Sequence, residues 1–447
     1  MTAVAVFTRD LRIRDNPMLA AALASTGTAQ CVFAIDQPML QGMHASPNRA
    51  RFLREALVDL ARNLGELGVP LTLLRSSWIA TIVAFAHQHD ASSVHIADDV
   101  SHHAQHRFAQ LSAALGNTPL ASHPGVTVVP PNAIATTNGA YKVFTPYYRR
   151  WLATSWRSMV TLPPQSRDAV QNDIDTQLQH LAVPGELSPG ADHGGETAGL
   201  TRIRQWASEY LHEYGDIHDD LARDATSRIG AYLHFGCLSP LEVATRLRDR
   251  PGAEPFTRQL CWRDFYHQFL AAFPNTSTMN VRPRNDTWND DSEAFEAWCT
   301  GHTGFPVVDA AMRQLLQEGF MHNRARMIVA SFLTKDLYVD WRRGAAHFMT
   351  WLNDGDVANN QLNWQWTAGT GTDTNPHRVL SPYRQAERFD PRGDYVRRYV
   401  PELADVAGKL ALNPDDDTRR QCNYPMPIVD HNEAIAAFKA ATATTAP

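Results

Sequence analysis

Short apolar runs alternate with helical patterns along the first part of the chain. The apolar runs, each of which predicts a strand, cover residues 3–7, 31–35, 71–74, 94–96 and 126–129. Apolar residues between Phe52 and Leu67 recur at helical spacing, and further helical patterns follow the third and fourth runs. Strands that alternate with helices are typical of a parallel sheet covered on both faces. We therefore predict a doubly wound α/β domain over residues 1–131.

The pattern changes beyond this domain. Residues 162–199 are rich in proline, glycine and polar residues, as in VPGELSPG and ADHGGETAG, and we assign an interdomain linker to residues 132–199. Helical patterns then follow one another; residues 309–319, for example, begin with an acid and end with glycine. The sequence thus predicts an all-α domain over residues 200–447.

Composition and charge narrow the class of protein. The chain has 447 residues, of which 44% are hydrophobic and 20% charged, with a net charge of −6. These values exclude a collagen-like, disordered or coiled-coil protein. No apolar run is long enough to cross a membrane, and the N-terminus becomes charged too early for a secretory signal, so we expect a cytoplasmic protein without membrane contact. The 5 cysteines are scattered without a CxxC pair, which disfavours zinc and iron–sulfur sites, so we predict no bound metal.

Two segments of the helical region are candidates for chemistry. In residues 320–327, Asn323, Arg326 and Met327 lie close together on a helix, which indicates either a polar pocket or a surface helix with an ordinary core methionine. Residues 354–366 (DGDVANNQLNWQW) are too polar for a core helix and too aromatic for a solvated loop. Its two tryptophans, Trp364 and Trp366, are two positions apart, so they point to different sides of a helix. One could face a cofactor and the other a cavity, or both could simply pack.

Several sequence blocks resemble the photolyase/cryptochrome flavoproteins. They occur in order and at the spacing of that family, which makes chance agreement negligible. The blocks are 7–17 (FTRDLRIRDNP), 262–266 (WRDFY), 303–313 (TGFPVVDAAMR), 322–327 (HNRARM), 335–342 (KDLYVDWR) and 363–373 (NWQWTAGTGTD). The resemblance implies an α/β antenna domain followed by an all-α FAD-binding domain.

The resemblance implies that the helical domain holds FAD in a folded conformation. The positions that match its phosphate-binding segments are Tyr214, Thr226, Ser227 and Arg228. Hydroxyl and guanidinium groups suit that role because they donate hydrogen bonds to phosphate. The positions that match contacts to the isoalloxazine ring are Asn323, Arg326, Asp354, Asp356 and Asn360. Among these, Arg326 and Asp354 match an ion pair beside the ring, and Asn360 matches the side chain that faces flavin N5.

The resemblance further implies an electron relay of three tryptophans from flavin to surface. Trp364, Trp341 and Trp288 occupy its positions in this order. Indole is the readily oxidised side chain, so tryptophans in series can carry an electron inward after photoexcitation. Taken singly, each of them would more simply be a packing residue.

DNA that contains a pyrimidine dimer is the partner implied by the family. A dimer flipped out of the duplex needs aromatic walls that replace its lost stacking. The positions that match the dimer site are Trp262, Trp366, Gln259, Asn323 and Met327. The positions that match phosphate contacts at the cavity mouth are Arg263, Arg324 and Arg378.

One departure from the family pattern leaves the activity open. Dimer-repairing members carry a glutamate three residues before the Trp-Arg pair, and this chain has Gln259 there. An amide keeps hydrogen-bonding reach but supplies neither a proton nor a negative charge. Glutamine occurs in receptor-type members and in those acting on (6-4) lesions. Asn323 and Met327, however, stand where eukaryotic (6-4) enzymes have histidines.

We therefore expect a light-driven photolyase that splits cyclobutane pyrimidine dimers by electron transfer from excited reduced FAD. The short tail after His431, where receptors often have a long extension, favours this hypothesis. The alternatives are a cryptochrome-like blue-light receptor and a (6-4) photolyase. An antenna chromophore, contacted by Arg49 and Arg51, could be a folate, a deazaflavin or absent. We expect the protein to be a monomer.

Overall fold

The structure is a computed structural model of the chain. It describes residues 2–26, 29–35, 40–42, 45–134, 136, 139–163, 168–171, 174–179 and 181–444. The predictions that rest on these ranges are compared with it below. The chain divides into two compact units: unit 1 comprises Met1–Glu186, Asp192–His212 and Ser227–Pro274, and unit 2 comprises Leu187–Ala191, Glu213–Thr226 and Asn275–Pro447.

Unit 1 is built around a five-stranded parallel sheet with the strand order β3-β2-β1-β4-β5. The strands are β1 (Thr2–Phe7), β2 (Ala29–Ile35), β3 (Leu71–Arg75), β4 (Ala91–Ala97) and β5 (Leu120–His123). The first four confirm the strands that the apolar runs predicted. The reversal of strand order on either side of β1 is the mark of a doubly wound sheet, so the predicted fold class of this part is confirmed.

The predicted strand at residues 126–129 is wrong, and the fifth strand is β5. Residues 126–129 are buried, but they form bends instead of a strand. The backbone N–H groups of Val128 and Val129 donate to the carboxylate of Asp264, at 3.3 and 2.9 Å. A side chain thus supplies the acceptors that a neighbouring strand would otherwise offer. An apolar run indicates burial, and burial here does not depend on pairing in the sheet.

Unit 1 also contains α-helices. They are α1 (Pro17–Thr26), α2 (Pro47–Glu66), α3 (Trp78–Gln88), α4 (His102–Ala114), α5 (Phe144–Ala153), α6 (Asp175–Leu178), α7 (Glu196–Glu209), α9 (Gly230–His234), α10 (Pro240–Leu247) and α11 (Glu254–Ala272). The helix predicted between Phe52 and Leu67 is the middle and end of α2. Its start is fixed by Ser46, whose side chain accepts from the N–H of Arg49, and by Pro47 at the first position. The predicted division at 131 and 199 stays a prediction.

Unit 2 consists of helices and short turns, and its described residues contain no strand. The α-helices are α8 (Tyr214–Ile217), α12 (Ser292–Thr300), α13 (Pro306–Glu318), α14 (Asn323–Ser331), α15 (Trp341–Trp351), α16 (Val357–Ala368), α17 (Pro382–Phe389), α18 (Asp394–Tyr399), α19 (Asp416–Cys422) and α20 (His431–Thr444). A π-helical turn, Phe332–Asp336, follows α14. This confirms the predicted helical character of the C-terminal part.

The core of unit 2 is a single apolar cluster that joins most of its helices. It includes Trp298, Trp341, Phe348 and Trp364, and each of these four side chains is buried. Aromatic residues of this size bury a large apolar area, so the cluster supplies much of the stability of the unit. None of the helices in the described ranges is both long and apolar enough to cross a membrane.

Candidate functional site

Arg326 and Asp354 form an ion pair in unit 2. The Nη2 atom of Arg326 donates to both carboxylate oxygens of Asp354, at 2.9 and 3.2 Å. Its Nε atom donates to the backbone carbonyl of Met321 at 2.8 Å, which fixes the plane of the guanidinium. Both side chains are partly exposed, at 25% and 19%. The pair predicted from the sequence therefore exists, and its partners can be reached from solvent.

Helix α14, which carries Arg326, begins at a buried histidine that sequence reasoning missed. His322 is the N-cap, and its Nδ1 atom accepts from the N–H of Arg324 at 3.1 Å. The backbone N–H of His322 donates to the Oε1 atom of Gln314 at 3.3 Å. Burial lowers the pKa of His322 to about 4, so the ring is neutral and can accept at neutral pH. Histidine is an uncommon cap, so no sequence signal singled it out.

Helix α16 and its N-cap residue together carry four of the predicted site residues. Asp356 caps its start by accepting from the N–H of Asn359 at 2.9 Å. One turn later, the amide of Asn360 donates to the carbonyl of Ala345 at 3.1 Å, which holds its side chain against α15. Trp364 is buried and Trp366 is half-buried. The two indoles differ in exposure, as expected for residues two positions apart on a helix.

The side-chain hydroxyl of Thr226, in unit 2, can both donate and accept a hydrogen bond. This hydroxyl is buried and has no hydrogen-bond partner among the described residues. Buried polar groups without a partner are uncommon and often mark the place of a ligand. Tyr214, from the same predicted phosphate-binding set, is also buried. Of that set, Ser227 and Arg228 belong to unit 1, where the carbonyl of Ser227 accepts from the Nε atom of Arg202 at 3.2 Å.

Arg228 adopts a left-handed backbone conformation with a φ of +52°. This region is uncommon for residues other than glycine, asparagine and aspartate, and it persists only where surrounding contacts impose it. Outliers of this kind cluster at ligand-binding segments. The conformation therefore supports a functional reading of the segment that contains Arg228.

The three predicted relay tryptophans share unit 2 and differ in burial. Trp364 and Trp341 are buried in the core cluster, and Trp288 is partly buried at its margin. The Nε1 atom of Trp341 donates to Asn280 at 2.9 Å. The Nε1 atom of Trp364 is buried without a hydrogen-bond partner in the described part of the chain. Trp288, which the sequence analysis assigned to the surface end of the relay, is the most exposed of the three.

Trp366 lies beside an exposed cation. The guanidinium carbon of Arg378 is 5.6 Å from the centroid of the Trp366 ring. Arg378 is exposed, and its carbonyl accepts from the ammonium group of Lys335. An aromatic face next to an accessible guanidinium is an arrangement that suits a nucleotide, with its base on the ring and its phosphate on the arginine.

Arg324 and Met327 occupy one side of α14. Arg324 forms an ion pair with Asp219 at 2.6 Å and lies over the Phe389 ring at 4.3 Å. Its Nη1 atom is 3.9 Å from the sulfur of Met327. Asn323, at the first position of the helix, is exposed. The structure thus brings Arg324 and Met327 together, with the arginine already bound to a carboxylate.

The predicted substrate residues of unit 1 lie on α11. Gln259 is exposed. The Trp262 ring stacks on Phe144 of α5, with the centroids 3.6 Å apart and the planes 4° from parallel. Arg263 has an 11% exposed side chain, and its guanidinium donates to the carbonyls of Val126 and Leu233. Arg263 therefore ties α11 to two other segments of this unit.

Comparisons with known proteins show the family of this chain. The family model "DNA photolyase" matches residues 3–167, and the model "FAD binding domain of DNA photolyase" matches residues 256–444. The deoxyribodipyrimidine photo-lyase of Streptomyces griseus is 46% identical over 98% of both chains. This chain belongs to the DNA photolyase family.

Solved structures of the family superpose on nearly the whole chain. A class III photolyase from Agrobacterium tumefaciens has a TM-score of 0.89 at 30% identity and covers 99% of this chain and 97% of its own. A Synechocystis cryptochrome has a TM-score of 0.87 at 27% identity and covers 98% of each chain. These results confirm the predicted family, and the matched FAD-binding domain supports FAD as the cofactor. The roles of the individual site residues stay predictions.

Proposed function

We propose that this member of the DNA photolyase family repairs cyclobutane pyrimidine dimers in DNA with light, through bound reduced FAD. The observation that carries the proposal is the composition of helix α16. It presents Asn360, the buried Trp364, and Trp366 beside the exposed Arg378 on one rigid element. The helix would thus hold an amide for the flavin, a redox-active indole and a nucleotide-binding surface at fixed spacing. The similarity to named photo-lyases along nearly the whole chain supports the same activity.

The residues of unit 2 suit FAD chemically. The buried hydroxyl of Thr226 has no partner in the described residues and can donate to a phosphate oxygen. The Arg326–Asp354 pair presents a cation and an anion that can bind the polar edge of the flavin ring. Bound, reduced FAD would supply a light-excited electron donor for the dimer. The residues of the chain would bind the cofactor and orient it.

The dimer would be bound by stacking and by hydrogen bonds. Trp262 and Trp366 supply aromatic faces that compensate for the stacking lost when the lesion leaves the duplex. The Gln259 amide can donate to a base carbonyl and accept from a base N–H, and it remains neutral throughout the reaction. Arg378 would bind a phosphate of the strand and so carry little sequence information.

The proposal is tested with two lesion-bearing oligonucleotides. Chemically reduced protein is illuminated with blue light, or kept dark, with DNA that contains either one cyclobutane thymine dimer or one (6-4) lesion. We expect intact thymines to return only from the cyclobutane dimer and only in light. Repair of the (6-4) lesion alone would replace the proposed substrate. Absence of both activities in protein with photoreducible FAD would favour the receptor, the candidate that Gln259 supports.

A second chromophore in unit 1 is a finer part of the proposal. Arg49 and Arg51 on α2 are its candidate contacts. In the structure, Arg49 is buried, and Arg51 donates to the carbonyl of Asp192 at 3.1 Å and lies 3.8 Å from Glu55. Mass spectrometry of the small molecules released by denaturing the purified protein would distinguish a folate, a deazaflavin and FAD alone.

A further inference from the structure

The rings of Trp288 and Tyr338 lie against each other in unit 2. Their centroids are 5.0 Å apart, and their planes meet at 44°. Two hydrogen bonds join the segments that carry them. The N–H of Asn289 donates to the carbonyl of Tyr338 at 2.8 Å, and its amide donates to the carbonyl of Leu337 at 2.9 Å. The backbone therefore fixes the distance between the two rings.

The Tyr338 hydroxyl is bonded to a buried carboxylate. It donates to the Oδ1 atom of Asp286 at 2.9 Å, and the Asp286 side chain is only 1% exposed. Arg284 donates to the same carboxylate from its Nε atom, at 2.7 and 2.6 Å. Partial burial and the neighbouring carboxylate raise the pKa of Tyr338 to about 12. The phenol therefore keeps its proton at neutral pH, and a proton acceptor is already in contact with it.

The backbone at Tyr338 is held in a disfavoured conformation. Its φ is +52°, in the left-handed region that bulky side chains rarely adopt. Such conformations persist where surrounding contacts over-determine them, and they are concentrated at functional positions. Here the conformation directs the ring toward Trp288 and the hydroxyl toward Asp286.

We propose that Tyr338 is the terminal electron donor of the tryptophan relay and that Asp286 accepts its proton. The inference rests on the relay of the proposed function. When light drives an electron inward from Trp288 through Trp341 and Trp364, Trp288 is left as a radical cation. Tyr338 gives one electron to that cation, its O–H bond breaks, and the proton forms a new O–H bond on Asp286. Trp288 returns to its neutral form, and Tyr338 becomes a neutral phenoxyl radical.

A thiolate from solution restores Tyr338. It gives one electron to the phenoxyl radical and becomes a thiyl radical, and the proton on Asp286 moves back to the phenolic oxygen. The positively charged guanidinium of Arg284 lies 5.6 Å from the Trp288 ring and disfavours a positive charge on that indole. This favours transfer of the hole to the tyrosine, whose radical is neutral once its proton has left. Tyr338 therefore separates the charge for longer than Trp288 alone can.

The test is transient absorption and electron paramagnetic resonance of the FAD-loaded protein after a light pulse. In the wild type, we expect a tryptophan radical cation that decays into a tyrosyl radical. In Tyr338→Phe, which keeps the ring contact, the tyrosyl signal is lost and the tryptophan radical lives several-fold longer. Asp286→Asn, which keeps the shape but weakens the proton acceptor, slows formation of the tyrosyl radical. Tyr383→Phe is the control, because Tyr383 lies against Phe305 and His431.

The outcomes separate this inference from the proposed function. A tyrosyl radical that persists in Tyr338→Phe, or an unchanged tryptophan decay, would overturn the role of Tyr338. Repair by chemically reduced protein does not use the relay, so Tyr338→Phe should repair dimers at the wild-type rate. A tyrosyl radical in protein that repairs no lesion would leave the inference standing while the proposed substrate fails.

Discussion

The indole of Trp364 on α16 packs directly against Gly344 on α15. A Cβ atom at position 344 would overlap the six-membered ring of Trp364 and also meet Leu333. Trp298 and Phe348 enclose the same indole, with ring centroids 6.0 and 5.0 Å away. Glycine is thus required at 344 because of the space that the tryptophan occupies. The position of the innermost relay residue depends on this contact.

Gly344→Ala should displace Trp364 and destabilise unit 2. Overpacking of a filled core typically costs about 1–3 kcal/mol in the free energy of unfolding. Denaturant unfolding measures the loss, and the rate of FAD photoreduction reports the displacement of the indole. Thr350→Ala, an exposed change on the same helix, is the control and should alter stability by no more than about 0.5 kcal/mol. An unchanged stability in Gly344→Ala would contradict the contact.

Much of the fold could be predicted from the sequence because local pattern determines it. The strands β1 to β4 are short apolar runs, and a parallel sheet follows from their alternation with helices. The failure at 126–129 has a nonlocal cause, since the acceptor for those N–H groups is Asp264, more than a hundred residues later. No pattern within the run itself could show this.

The candidate site, too, could be predicted from the sequence only in part. Arg326 and Asp354 were paired through resemblance to a family, and the structure shows their hydrogen bonds. His322 and Asp286 were not singled out, because each acts through contacts that only the folded chain brings together. Histidine is a weak cap signal, and the partner of Asp286 lies 52 positions along the chain.

Replacement of Arg326 by glutamine should lower FAD retention. The variant removes the cation beside Asp354 and leaves that carboxylate partly buried without its donor. The ratio of flavin to protein absorbance in purified protein measures the effect. A double-mutant cycle with Asp354→Asn should give a coupling of about 1 kcal/mol in FAD-binding free energy. Wild-type FAD content in all three variants would exclude the pair from the flavin site.

His322 should make the protein less stable in mild acid. Its pKa is lowered from 6.5 to about 4 in the folded state, so only the unfolded chain takes up a proton between these values. The stabilisation is therefore present above pH 6.5 and is lost as the pH falls toward 4. Between pH 7 and pH 5 the loss amounts to about 2 kcal/mol.

His322→Gln, which retains a hydrogen-bond acceptor, isolates this contribution. Burial also lowers the pKa of His347 to about 4. Burial raises the pKa of several carboxyl groups, among them Asp264, and these groups change the stability in the opposite direction as the pH falls. The free energy of unfolding in urea is therefore measured at pH 7 and at pH 5, and its decrease between the two is compared between variant and wild type. We expect a smaller loss of stability in the variant. The exposed His302→Gln should follow the wild type, and parallel losses in all three proteins would refute the assignment.

Trp366 and Arg378 should contribute to DNA binding in different ways. Trp366→Ala removes a stacking surface, which is worth about 1–3 kcal/mol per base. Arg378→Ala removes one phosphate contact, so the slope of log affinity against log salt should fall by about 0.9. Fluorescence anisotropy with dimer-containing DNA at several salt concentrations measures both. Arg392→Ala, a change at an exposed arginine paired with Asp394, is the control. Equal salt slopes in Arg378→Ala and the control would contradict the phosphate contact.

Gln259→Glu should raise the yield of repair per absorbed photon. A carboxyl group can supply a proton or a negative charge to the bases, and the amide can do neither. Gln259→Leu, of similar size but without hydrogen bonds, should repair less than the wild type. The yields are compared by chromatography of the repaired oligonucleotide after measured light doses. Equal yields in the three proteins would remove Gln259 from the dimer site.

Turnover tests the central claim most directly. Reduced protein is illuminated anaerobically with a large molar excess of DNA containing one cyclobutane dimer, and both the repaired DNA and the flavin spectrum are recorded. The account predicts many dimers split per protein molecule in light, none in darkness, and a flavin spectrum that is unchanged at the end. Equal repair in darkness, or repair that stops after one equivalent with loss of reduced flavin, would contradict light-driven repair without net redox change.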